Sequence, residues 1–331
     1  MGRRRPTAVG LGLFVVGSAG CAMSTTVEQL TAWRVLQALG ACVGPVLSRA
    51  MVRDLYGREQ AAKKLSTLIL IMGIAPLAGP LVGGQVLALG SWHEIFWLLA
   101  GIGLVTGASL FWLPESLPPH RRARAPLVHA LKDYWILIQD PKLVAYAMSG
   151  AFFYSGVYAF IVGTPFAYID FYGVSAQAYG WLFGINIVGM MAANMANARL
   201  LPRFHSDQIF RVGVTILLAS GGAIVITGVT GIGGLAGLVI PVLVYVSMNG
   251  LIVANSVACA LADHPQRAGA TSSLLGALHY GSGIFSAALV GWFSDGTPAA
   301  MAIIMGAAAV GSSASLVVLL ALTWIHRRAC Q

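Results

Sequence analysis

Residues 34–45 read RVLQALGACVGP, an arginine set inside an apolar run from about Leu30 to Val52. The run is long enough to cross a bilayer, since about 20 helical residues at 1.5 Å each span the hydrocarbon core. A charge in that core costs at least about 2.5 kcal/mol. Arg34 therefore either faces a polar cavity or partner, or reaches the outer surface from one or two turns inside the helix end. Gln37, Gly40 and Gly44 follow at helical spacing and give the helix a polar, small-residue face.

Working outward, the whole chain repeats this character. Of 331 residues, 57% are hydrophobic and 9% charged, whereas a soluble domain carries about 25% charge. This excludes a soluble fold and predicts an all-α membrane protein. The 40 glycines suit helices that pack closely in lipid. Cys21, Cys42, Cys259 and Cys330 have no metal-ligand spacing, so neither a metal nor a cofactor is expected.

Apolar segments fall near residues 8–23, 30–51, 66–89, 93–113, 143–167, 176–198, 212–230, 235–258, 268–292 and 299–324. These predict ten transmembrane helices. The net charge of +9 would suggest nucleic acid in a soluble protein, but its placement does not. Arg3 to Arg5, Arg53, Arg58, Lys63, Lys64, Arg121, Arg122, Arg124, Lys132, Lys142, Arg199, Arg203, Arg211, Arg267, Arg327 and Arg328 fall in alternate loops on one side. Only Arg34 and Arg49 lie within spans, and Arg49 is near enough to an end to snorkel. The loops on the opposite side, such as STTVEQL, FYGVSAQ and SDGTP, hold no Lys or Arg. The partner implied is the lipid bilayer, with both termini cytoplasmic. The polar stretch 114–142 reads as a cytoplasmic linker between residues 1–113, with four helices, and 143–331, with six. A signal peptide over residues 1–21 competes, but Ser18 stands where its cleavage box needs a large aliphatic residue.

Residues 73–84 read GIAPLAGPLVGG. Gly79 and Gly83 form a G-x-x-x-G face open to close approach, and Pro76 and Pro80 remove helix hydrogen bonds. The segment is either a packing kink or a bend at an interface that must slide or seal. His279 is the one side chain deep in a span that titrates in the neutral range, so it either carries a proton or bonds a neighbouring helix. Asn186, Met190 and Asn194 recur every four residues and line one face, to touch substrate or to join helices. Phe153, Tyr154, Tyr158 and Trp181 are aromatic candidates for a substrate cavity. No P-loop, H-E-x-x-H or G-x-S-x-G string supports catalysis.

RVLQALGACVG resembles the R-x-x-Q-G-x-G signature in the fourth helix of major facilitator drug/proton antiporters. GIAPLAGPLVGG, with Gly73, Pro76, Gly79, Pro80, Gly83 and Gly84, resembles their fifth-helix antiporter motif. MGRRRP, with Gly2, Arg3 and Arg4, is similar to the tail of their loop motif G-x-x-x-D-R-x-G-R-R/K. RAMVRDLY at 49–56, LPESLP at 113–118 and RAGATSSLLG at 267–276 add to the resemblance, which is to the Bcr/CflA, bicyclomycin-resistance branch. It implies a bacterial inner-membrane transporter of two six-helix bundles with a central site open alternately to either side. It further implies a monomer that exchanges protons for small hydrophobic or cationic drug-like compounds, with Arg34 and Gln37 on the coupling path.

Aligned this way, residues 1–113 match family helices three to six. All eleven acids, Glu28, Asp54, Glu59, Glu94, Glu115, Asp133, Asp140, Asp170, Asp207, Asp263 and Asp295, fall in loops or at helix ends. The resemblance would place a coupling acid on the family's first helix, so two spans upstream of Met1, the first bearing Asp or Glu, are expected. The alternatives are a shortened, non-transporting remnant of such a transporter, or an exporter of amino acids or other metabolites. Impermeant thiol reagents applied to single-cysteine variants in intact cells test the orientation. Cysteines replacing Asp170 or Asp295 are expected to react and those replacing Arg122 or Arg203 are not, and the reverse pattern sinks the topology.

Overall fold

A computed structural model describes residues 2–56, 58–116 and 127–329, with side chains described throughout except at several positions between 53 and 77, at 127–131 and at 324–329. Among the described residues every regular element is helical, as the apolar composition requires: in hydrocarbon only a helix or a closed barrel satisfies its own backbone. The chain divides into two units, Met1–Ala125 and Pro126–Gln331.

The first unit holds α1 (Arg4–Ala22), α2 (Val27–Ala41), α3 (Val43–Leu55), α4 (Arg58–Leu89) and α5 (Trp92–Ser109). α2 begins where the Thr26 side chain accepts a hydrogen bond from the Gln29 amide at 3.3 Å, satisfying one of the amides a helix start leaves free. α2 and α3 are one path interrupted at Cys42. α1 packs against both α2 and α5.

The second unit holds α6 (Leu127–Ile138), α7 (Pro141–Pro165) extended by a π-helical turn (Phe166–Phe171), α8 (Ala176–Leu200), α9 (Ser206–Thr230), α10 (Gly234–Ser247), α11 (Asn249–Ala262), α12 (Ala268–Trp292) and α13 (Ala299–Ala329). α10 and α11 are again one path, interrupted at Met248. α7 lies between α12 and α13, α9 packs on α10, α11 and α13, and α8 lies against α10 and α11. The turn from α9 to α10 needs its glycines: Gly231, Gly233 and Gly234 all have positive φ, where a Cβ would be strained.

Among the described residues seven stretches are long and apolar enough to cross a membrane: 4–22, 27–52, 141–171, 206–230, 234–262, 265–292 and 299–323. The other three expected spans are helical but more polar or less continuous. α4 offers the apolar stretch Ala78–Leu89, α5 opens on Trp92, His93 and Glu94, and α8 carries Asn186, Asn194 and Asn197. The expected linker 114–142 is not wholly irregular, because LVHALKDYWILI, free of Gly and Pro, forms α6. Arg267 secures α6 by donating from Nε to Asp133 at 2.9 Å. Residues 117–126, with Arg121, Arg122 and Arg124, lie outside the described residues.

Glycine sets how closely these helices approach. A Cβ on Gly17 would lie 2.6 Å from the Gln37 amide nitrogen, and one on Gly40 would strike the α1 backbone at Phe14 and Gly10. In the second unit α7 receives rings on its glycines, His279 on Gly150 and Tyr245 on Gly156, while Gly283 of α12 receives Tyr158. This is van der Waals packing through small residues, which drives helix association where lipid cancels the hydrophobic effect. Gly156→Leu should therefore destabilise the protein by about 1–3 kcal/mol through overpacking. Gly222→Leu, at a position with nothing within 4 Å, should be nearly neutral. Thermal unfolding in detergent distinguishes the two, and equal effects would contradict the packing account.

Candidate functional site

In the first unit a polar relay runs from the helix interior to its surface. Ser18 of α1 is fully buried and donates to the Phe14 carbonyl at 2.7 Å. Its oxygen accepts from Gln37 Nε2 at 2.8 Å, and Gln37 Oε1 accepts from the Arg34 guanidinium at 2.8 Å. Arg34 is exposed, with its guanidinium carbon 5.7 Å from the centre of the Phe96 ring. The expected polar face thus divides. Gln37 and Gly40 turn into α1, where the missing Cβ of Gly40 admits the α1 backbone, while Arg34 and Gly44 stay outward. Arg49 differs: one guanidinium nitrogen lies 3.6 Å from the Met72 sulfur.

A second cluster ties the start of α1 to the end of α3 and to the segment after α5. Arg3 Nε pairs with Asp54 at 2.9 Å. The Arg3 and Arg4 amides donate to the two Glu115 carboxylate oxygens at 2.7 and 3.3 Å, an anion held at a helix N-terminus. A side chain at Gly2 would collide with that carboxylate. The structure therefore brings together Arg3 and Arg4 of MGRRRP, Asp54 of RAMVRDLY and Glu115 of LPESLP, in three stretches whose sequences do not say that they meet.

On α4, Gly79 and Gly83 have nothing within 4 Å of a Cβ position. Among the described residues of the first unit no backbone takes the close approach that the G-x-x-x-G spacing allows. Pro80 and Gly84 share this helix, which continues through Gly73 and Pro76, whose side chains lie outside the described residues.

The second unit gathers an aromatic group around α7. Tyr154 stacks on His279 with ring centres 5.3 Å apart, and lies 5.5 Å from Tyr280 and 6.3 Å from Tyr158. Phe153 is buried, set edge-on to Tyr154 at 5.8 Å and stacked beside Tyr245, and Trp181 is exposed. His279 is 4% exposed, and its Nε2, packed on Gly150, has no hydrogen-bond partner among the described residues. Asn186 and Asn194 do not act together: Asn186 is buried and donates to its own helix at Leu182 O, 2.8 Å, while Asn194 is exposed. The amides that do join helices are Asn255 and Asn197, bonded at 2.7 Å across α11 and α8. The sequence shows only that Asn186, Met190 and Asn194 recur every four residues, whereas the bond between Asn255 and Asn197 crosses 58 positions and leaves no such periodic signal.

The ends of α7, α9 and α11 border a cavity of about 770 Å³ ringed with charge. Lys142 pairs with Asp263 at 2.6 Å and His264 with Asp140 at 2.7 Å. The Tyr146 hydroxyl donates to Asp207 at 3.0 Å, which also pairs with Arg211. Burial works against charge on Asp140, but the His264 ring and the amides of Lys142 and Leu143 outweigh it and hold the carboxyl below its ordinary value. Among the described residues no group of three His, Cys, Asp or Glu side chains could hold a metal ion.

A family model described as Major Facilitator Superfamily matches residues 1–288. The chain is 34% identical over 313 residues to the uncharacterized MFS-type transporter YdgK of Bacillus subtilis, covering 93% of this chain and 77% of the relative. It is 30% identical over 286 residues to a bicyclomycin resistance protein homolog of Haemophilus influenzae, covering 86% and 72%. In fold it is similar to the crystal structure of the peptide transporter POT in complex with alafosfalin, with a TM-score of 0.74 at 18% identity over 99% of this chain and 81% of that one.

The Arg3 and Glu115 contacts carry a direct expectation. Glu115→Gln keeps the shape but removes the charge from the α1 terminus, and should lower stability by about 0.5–2 kcal/mol. Arg3→Lys, which keeps charge but loses the planar Nε donor, should cost less. Denaturation in detergent reports both, and a neutral Glu115→Gln would remove the capping role.

Proposed function

Since this chain belongs to the Major Facilitator Superfamily and is a multi-pass membrane transporter rather than an enzyme, we propose that it is a drug exporter of the bicyclomycin-resistance type. It exchanges protons for small hydrophobic or cationic compounds across the bacterial inner membrane, as a monomer with both termini cytoplasmic. The observation that carries this reading is the match to the bicyclomycin resistance protein homolog over 86% of the chain.

The residues support particular roles. Arg34 is a fixed charge held by Gln37 and Ser18 on an outward face of α2, and it acts on the coupling path with Gln37. Fixing a guanidinium by a neutral relay leaves its charge unneutralised by that relay, so it can answer a proton or a charged ligand nearby. His279 is the second coupling candidate, because a buried imidazole nitrogen without a partner among the described residues gains a bond when it meets a donor or a proton. The motif from Gly73 through Pro76, Gly79, Pro80, Gly83 and Gly84 serves as the bend and sliding face of α4. Tyr154 and Tyr158 line the substrate cavity, with Asn194 at its margin and Asn186 as internal support. The Gly2, Arg3 and Arg4 stretch secures the cytoplasmic end of the first unit.

Expressed as its gene encodes it in an exporter-deficient bacterium, the protein should raise resistance to bicyclomycin. Arg34→Ala should abolish that resistance, and Arg49→Ala should leave most of it. Equal, mild effects would make Arg34 a surface anchor. His279→Asn should shift the pH dependence of efflux, and unchanged pH dependence would reduce His279 to a packing residue.

A further inference from the structure

Two apolar spans are interrupted once each, about midway along their length, at residues that keep helical φ and ψ. α2 runs 15 residues to the joint at Cys42, and α10 runs 14 residues to the joint at Met248. A transmembrane span can be interrupted only where protein or a cavity takes up the freed backbone groups, so matched interruptions in two halves point to ligand sites. The second joint has chemistry beside it. Asn249, the first residue of α11, stands near the Tyr154 side chain, whose ring packs against those of Tyr280 and Tyr158. Tyr280 is 62% exposed, although its neighbour His279 is buried behind Tyr154.

We propose that Asn249, Tyr154, Tyr158 and Tyr280 form a ligand site on the second unit that takes uncharged, planar aromatic compounds bearing a carbonyl or N–H group, in preference to organic cations. The inference rests on the export reading and narrows its substrate class. Tyr280 and Tyr158 present ring faces and edges for stacking, while three phenol hydroxyls and an amide offer both donors and acceptors. Electrostatics decides the sign of selectivity. The six acids of this unit, Asp133, Asp140, Asp170, Asp207, Asp263 and Asp295, all stand in α6 or at the ends of the spans. A cation in the site would lose hydration and find ring faces but no counter-charge from this unit. An uncharged compound gives up no such hydration and exchanges its water hydrogen bonds for those of Asn249 and the phenols. The glycines fit this arrangement: Gly276 and Gly281, on the same helix as Tyr280, have nothing within 4 Å of their Cβ positions.

The test uses the purified chain in detergent and two probes of one ring system, uncharged acridone and the permanent cation 10-methylacridinium, with binding followed by ligand fluorescence polarisation. Acridone should bind about tenfold more tightly than methylacridinium. Asn249→Ser, which replaces the amide by a shorter hydroxyl, and Tyr280→Phe, which keeps the ring, should each weaken acridone roughly three- to tenfold and leave methylacridinium within about twofold. Equal or tighter binding of the cation, or acridone binding indifferent to both substitutions, overturns the proposal. If cells expressing the protein still resist bicyclomycin, such a result removes this site and leaves the export reading standing. If resistance is absent as well, the export reading falls.

Discussion

A polar group inside a bilayer has no water to turn to, and the arrangement of this chain follows from that constraint. The interior hydrogen bonds that cross between helices are neutral: Gln37 to Ser18, Asn255 to Asn197, and Ser149 with Ser312 at 2.8 Å. Each joins two helices by groups that would otherwise be stranded in hydrocarbon, where interhelical hydrogen bonds are worth about 0.6–2 kcal/mol. They are too few to hold the bundles alone. The larger contribution is contact, made possible where glycine lets a ring or a backbone come close, as at Gly40, Gly150 and Gly156.

The same constraint explains what could be read from sequence. The helical class and the family are legible because lipid enforces apolar runs of about 20 residues and because the RVLQALGACVG and GIAPLAGPLVGG strings are distinctive. Span number is less legible. α8 is helical despite its asparagines: the Asn186 amide nitrogen donates to Leu182 O and Asn197 accepts from Asn255, bonds that hydropathy does not register.

The candidate site was legible only as separate residues. Arg34 and Gln37 stand three apart, so their hydrogen bond follows from helical geometry. Ser18 does not, because its link to Gln37 crosses 19 positions and depends on Gly17 and Gly40 being small. Likewise Glu115 was counted as a loop acid, and only the fold sets it on the amides of Arg3 and Arg4 more than 110 positions away. Asn249 had no sequence signal at all, for its importance comes from standing at a joint that hydropathy reads as an unbroken run.

Charge and neutral polarity are sorted along the helices, and the sorting suits a molecule that must change shape. The ion pairs of Lys142 with Asp263, His264 with Asp140 and Arg3 with Asp54 lie at helix ends and are partly exposed. Pairs of that kind are worth about 0–1 kcal/mol each, so they break and reform at little cost. The middle of each unit is held by close glycine contacts and buried amides, whose disruption costs more because no water replaces what is lost. A transporter that opens alternately to two sides needs ends that let go and a centre that keeps its shape. Here the weaker interactions are at the ends, and the breaks at Cys42 and Met248 lie within spans whose flanking helices are otherwise continuous. Bending at those joints would reshape the segment beside Asn249 without unpacking the glycine-lined contacts around it.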